Sequence, residues 1–114
     1  MARLRKKHLP HRVDLRDLDG EGAEGVIRGE VRADRPAYVE QKSRLVVDRR
    51  ADSETLGQQV TSTTFVILLP EDDAEPRTEV TVWKGTRRER TSQVIDSAFF
   101  DYRGTPSHVE LYLE

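Results

Sequence analysis

Apolar and polar side chains alternate with a period of two along most of this chain, and no window of eleven or more residues carries a clean helical stripe. That pattern restricts the fold to half-buried strands. Gln58 to Leu69 is the strongest case, rich in Val, Thr, Phe and Ile, with Thr61, Thr63, Phe65, Ile67 and Leu69 sharing one parity. His11 to Leu18 sets Val13 and Leu15 against Asp14 and Arg16. Val26 to Ala33 is a second run, with Val31 and Ala33 facing one way, and Pro36 is expected to interrupt it. Ala37 to Asp48 follows with Val39, Leu45 and Val47 in odd positions. Thr78 to Trp83, a turn at Lys84-Gly85-Thr86, and a return strand from Arg87 to Phe99 form a hairpin. His108 to Glu114 ends the pattern with Val109, Leu111 and Leu113 on one face. Asp19 to Gly25 reads as an acidic turn, and Pro70 to Pro76 and Asp101 to Pro106 as connections. The expectation is an all-β domain, a small antiparallel barrel or sandwich of about six to seven short strands. Residues 1–12 form an extended arm, residues 13–114 the domain, and residues 48–59 a long loop.

At 114 residues the chain can build one modest core. Its supply of core-forming side chains is thin, 35% hydrophobic against 35% charged, which predicts both that copies share burial with neighbours and that a small core carries long solvated loops. The net charge of −2 favours neither nucleic acid nor an anionic membrane on average. Its distribution is uneven. Arg3, Arg5, Lys6, Lys7 and Arg12 stand in an acid-free stretch, followed by Asp14, Asp17, Asp19, Glu21 and Glu24 against Arg16 alone. A basic arm beside an acidic segment is suited to joining neighbouring copies head to tail, unless both are merely solvated. The chain has no cysteine for a disulfide or thiolate metal site, no asparagine for glycosylation, and no apolar run long enough for a membrane helix. The basic start leads into Leu9-Pro10 and charges, not an apolar signal core, so cytoplasmic synthesis is expected.

The motifs that would carry chemistry are weak. Gly20-Glu21-Gly22-Ala23-Glu24-Gly25 matches a dinucleotide fingerprint, but a strand pattern follows it where a helix is required, and its glutamates would repel phosphate. His8 and His11 are separated by Pro10, and His108 is remote in sequence, so surface histidines are the better reading. Glu71, Asp72, Asp73 and Glu75 would hold a hard cation only loosely and fit a solvated loop. Arg87, Arg88 and Arg90 offer a phosphate patch, although the interleaved Glu89 favours a polar outer face or salt bridges. Trp83, the single Trp, belongs in the core or an interface. No catalytic, cofactor or metal constellation emerges, and the expectation is a protein that is not an enzyme and takes no cofactor.

Several segments resemble the head-to-tail stopper (head-closure) proteins of long-tailed siphophages. They are Arg44-Leu45-Val46-Val47-Asp48, the polar run 49–59, and Val60 to Pro70 with its Ser/Thr-rich start and aliphatic end. The acid-and-Pro loop 71–76, Val80-Thr81-Val82 with Gly85, and Pro106-Ser107-His108-Val109-Glu110-Leu111-Tyr112-Leu113 continue the likeness. It covers most of residues 13–113 in order and pattern. The departures are the acidic glycine-rich segment 19–25 and a loop lacking the family's D-G-E. The resemblance implies a β-barrel subunit of a virion neck, in a homo-oligomeric ring of six or twelve copies. The head–tail adaptor and portal would lie on one side, a tail terminator on the other, and packaged double-stranded DNA in the channel, with no membrane. It also implies a channel loop, here Asp48, Arg49, Arg50, Asp52, Ser53, Glu54, Leu56, Gln58 and Gln59. Such a loop is expected to retain DNA and to release it by swinging aside. Two alternatives stand beside this reading. One is a tail terminator ring, which usually carries helices. The other is an OB-like nucleic-acid-binding module, which needs a basic groove among exposed aromatics, whereas Phe99, Phe100 and Tyr102 lie apart from most arginines.

Overall fold

Strand-forming segments fill most of the chain in a computed structural model, which describes residues 8–22, 25–51, 53–100 and 107–114, with only the backbone of strand residues 18–22 and 25–28. Six strands form: β1 (His11–Gly22), β2 (Gly25–Val47), β3 (Gln59–Leu68), β4 (Glu79–Val82), β5 (Arg90–Phe100) and β6 (His108–Leu113). They pair antiparallel in the order β1-β2-β3-β6-β5-β4, and β4 returns to β1 to close a barrel. A 3-10 turn spans Pro70–Asp72 between β3 and β4. None of the described helices is long and apolar enough to cross a membrane.

The period-two pattern determines what lies inside. Val13 and Leu15 of β1, Val66 and Leu68 of β3, Val80 and Val82 of β4, Val94 of β5, and Val109, Leu111 and Leu113 of β6 all point inward and are fully buried. Burying side chains of this size contributes about 1.5–3 kcal/mol each, so this one layer carries the hydrophobic stabilisation. On β3 the inward parity is even, so Phe65 and Ile67 lie on the outer face, half-buried. Trp83 packs against the core from its edge, at φ 51°, where β4 leaves the sheet.

Two expectations are corrected on β2. Pro36 does not divide it: the two runs form one strand of 23 residues. Val39 directs its N–H at His11 Nδ1, 3.0 Å away on the β1 side. By alternation the Pro36 nitrogen faces the β3 side, where pairing begins only at Ala37, so no ladder bond is lost. Leu45 also has the wrong parity. The register shift between Gln41 and Arg44 inserts one extra residue, after which Val46 is buried and Leu45 is 64% exposed.

The expected turn at 19–25 is largely strand as well. β1 and β2 remain paired to Gly22 and Gly25, so the glycine motif is the far end of a hairpin. Within the expected arm 1–12, Leu9 is buried and β1 starts at His11, which places Arg12 in a strand. Arg3, Arg5, Lys6 and Lys7 lie outside the described residues, as do Asp52, Tyr102 and the connection at 101–106. The return strand starts at Arg90, leaving Arg87 and Arg88 in the turn.

Candidate functional site

The loop between β2 and β3 is organised by its first residue. Asp48 is fully buried, and both carboxylate oxygens are engaged. Oδ1 accepts from the Arg50 backbone N–H at 2.9 Å and from Arg50 Nε at 3.0 Å. Oδ2 accepts from Arg50 Nη2 at 3.1 Å, from Ser53 Oγ at 2.7 Å and from Thr55 Oγ1. An Asp that captures the backbone two residues ahead forms an Asx turn, and the hydroxyls extend that turn into a closed loop. The main chain closes beneath it, with Asp48 N donating to Gln58 O at 2.8 Å and Gly57 N to Asp48 O at 2.9 Å. Gly57 takes φ 85°, a left-handed geometry that suits glycine.

The loop is also fastened to the barrel. Arg49 N donates to Ile95 O at 3.0 Å, at the point where an extra residue bulges from β5. Arg50 Nη1 reaches Gln93 Oε1 at 3.3 Å and the Glu114 carboxylate. The Arg50 guanidinium and the hydroxyl donors hold the Asp48 carboxyl far below the ordinary carboxylate range, against the opposing effect of burial. Asp48 in turn raises Arg50.

The expected channel loop is internally bonded. Asp48 cannot face a channel, and Arg50 and Ser53 spend their polar groups on it. A swing of the whole segment would break these bonds. The loop is a rigid knob whose accessible rim is Arg49, Glu54, Leu56, Gln58 and Gln59, with Leu56 54% exposed.

A second arrangement lies on the outer face of β3, β6 and β5. The Phe65 and Tyr112 rings meet at 5.7 Å between centroids, and Ile95 and Val46 complete a small outer cluster with them. The Arg44 guanidinium sits 5.0 Å from the Tyr112 ring, and Lys42 Nζ 6.0 Å from Phe65. Tyr112 donates its hydroxyl to Glu110 Oε1 at 3.0 Å and accepts from Arg44 at 3.3 Å. His108 Nε2 is 3.0 Å from Glu110 Oε2, and its ring stacks on Phe100. Burial and the Glu110 carboxylate raise the Tyr112 phenol, so it remains protonated. The alternation of β6 placed Tyr112 on the outer face, but its cation was not legible, because Arg44 arrives only through the β2 bulge.

The remaining candidates separate. Asp72 of the acidic loop is buried against Arg35 Nε at 2.8 Å, while Asp73 caps Ala74 N. Asp73 and Glu75 border an acidic cleft of about 340 Å³ with Asp17, Pro76 and Thr78, and Asp17 is paired with Arg32 at 2.9 Å. His11 caps β2. Arg88 and Arg90 point to Gln41 and Thr63, respectively. Compared with known proteins, the chain matches no family model, no curated protein and no solved structure.

Proposed function

We propose that this protein is a structural subunit of a phage neck, a head-to-tail stopper. It would assemble as a ring of six or twelve copies between the adaptor and portal on one side and the tail terminator on the other. The observation that carries the reading is the pairing of a small closed barrel with a rigid, outward polar knob at residues 48–58. Rotational symmetry would present that knob once per copy, so weak contacts repeat around one axis. The resemblance of segments 44–70 and 106–113 to stopper proteins points the same way.

The functional surface in this reading is the rim. Arg49 would contact DNA phosphates or a neighbouring acid, and Leu56 would seat against the next copy or ring. DNA would be retained by a fixed constriction, and opening would come from movement of whole subunits about their interfaces. The virion neck is the proposed location and the bacterial cytoplasm the site of synthesis.

Native mass spectrometry of purified necks tests the assembly. A cyclic multiple of the 13.1 kDa chain is expected. Necks that contain no such multiple would end the proposal.

A further inference from the structure

We propose that Lys42, Arg44, Arg88 and Arg90, flanked by Arg87, form one face that binds the phosphate backbone of double-stranded DNA. The inference rests on the proposed function only for the origin of that DNA, the packaged DNA of the neck; the binding itself stands on this surface.

The barrel brings the four cations together. β6 pairs with β3 only up to Thr64 and with β5 only up to Val94. Past that point no described strand lies between β3 and β5, and Arg90 crosses the space. One Nη donates to Thr63 Oγ1 on β3 at 3.1 Å, and the other donates to the Glu114 carbonyl. Arg88, in the turn before β5, donates to Gln41 Oε1 on β2 at 3.3 Å, beside Lys42. Thr63 and Phe65 share the outer parity of β3, about 7 Å apart. Lys42 Nζ stands over Phe65, and Arg44 over its register partner Tyr112. Segments distant in sequence therefore meet on one surface, and all four cations are exposed.

Their partners orient them without neutralising them. An amide, hydroxyls, a carbonyl and two ring faces carry no negative charge. Among the described residues none of the four, nor Arg87, forms an ion pair. Cations elsewhere differ: Arg32, Arg35, Arg50 and Lys84 each hold a carboxylate. Nearby acids are engaged. Glu89 Oε1 accepts from Gly85 N at 3.1 Å, so the acid interleaved among Arg87, Arg88 and Arg90 bends back into its own turn. Arg50 takes the Glu114 carboxylate, and Tyr112 and His108 take Glu110. Glu40, the register partner of Phe65, is exposed and tempers the charge without balancing it.

Such a set suits a polyanion held by its backbone. Duplex DNA carries a charge every ~1.7 Å of axis, so a small face meets several phosphates together. Base stacking has no platform here, because the Phe65 and Tyr112 rings lie half-buried or buried against each other and the cations. The contact is therefore independent of base sequence and favours duplex over single strand.

Fluorescence anisotropy of the full-length chain with a labelled duplex of about 20 base pairs tests the inference. The duplex should bind in ~50 mM salt, and log K should fall steeply with log salt. Arg88→Gln with Arg90→Gln should weaken binding at least about tenfold and make that slope shallower by about two. Arg88→Lys with Arg90→Lys keeps the charge and should stay within about threefold of wild type. Arg3→Gln with Arg5→Gln removes the same charge from the N-terminal segment and should cost less than the change at Arg88 and Arg90. No binding in ~50 mM salt, a glutamine variant of Arg88 and Arg90 that binds as wild type, or an equal loss from the N-terminal change overturns the inference. Tighter binding of an equal-length single strand overturns it too, as does tighter binding of polyglutamate, which would make the occupant an acidic protein. Duplex binding by a protein absent from necks keeps this site and removes the neck reading. Necks of cyclic stoichiometry from a protein that binds no duplex do the reverse.

Discussion

At Asp48 five donors from three nearby residues converge on two oxygens in a site closed to solvent. The group is depressed in the folded state, so its contribution is complete above the ordinary carboxylate pKa of about 3.9 and is lost as pH falls below it. Asp48→Asn cannot titrate. The stability difference between wild type and this variant should therefore hold constant from pH 6 to about pH 5 and shrink as urea titrations move below about pH 4. A difference still unchanged at about pH 3 would mean that the carboxylate charge is not what holds the loop. Asp48→Ala is expected to cost about 3 kcal/mol, because Arg50 remains half-buried without its main partner. Leu56 is the contrast within the same loop: Leu56→Ser on the exposed rim should change stability by no more than about 0.5 kcal/mol.

Among the elements, β2 carries several inserted residues, and two of them shape its faces. The first sits near Asp34, which takes φ 54° where Val13 pairs with Arg35 and Leu15 with Arg32. Asp14 Oδ1 accepts the Asp34 N–H at 2.9 Å, and Lys84 Nζ lies 2.9 Å from both carboxylates. Positive φ is costly for a β-branched residue. Asp34→Val should destabilise by about 1–2 kcal/mol, while Asp34→Gly should stay within about 0.5 kcal/mol, as measured by denaturant midpoints. Equal effects would show that the Lys84 pairing, not backbone geometry, holds the bulge. The second insertion, at 42–43, reverses the strand's parity and brings Arg44 over Tyr112. The bulges thus turn one long strand into two faces with different partners.

For the whole molecule, one inward layer of Val and Leu supports the barrel, and closure depends on a β1–β4 contact of three residue pairs. Leu111→Ala, at the centre of that layer, should cost about 3 kcal/mol, a large part of the stability of a domain this size. A cost below about 1 kcal/mol by chemical denaturation would mean that the core collapses around the cavity. At the level of the virion, the combined change Arg49→Ala, Glu54→Ala and Leu56→Ser alters only the rim of the knob. Under the proposed function, heads carrying it should assemble and package normally but lose DNA before tails attach. Normal DNA retention, measured by nuclease sensitivity of tail-less heads, would remove the rim from the gating role.

Local chemistry determined which segments are strands, because an alternating half-apolar run has one stable use. Val13, Leu15, Val80, Val82, Val109, Leu111 and Leu113 were legible as core from spacing alone. The Gly85 hairpin was legible too, since its turn chemistry is local. Tertiary structure decided what depends on counting across strands. A bulge adds one residue that no period reveals, and this is why Leu45 and Val46 exchanged faces. Pro36 was acceptable because its neighbour strand had not yet begun, a matter of register. The long polar segment after Asp48 has the composition of a free loop. It became a closed knob because one buried carboxylate found an arginine and two hydroxyls to bind while the Arg49 N–H bonded to β5, and spacing in sequence does not show where those partners meet.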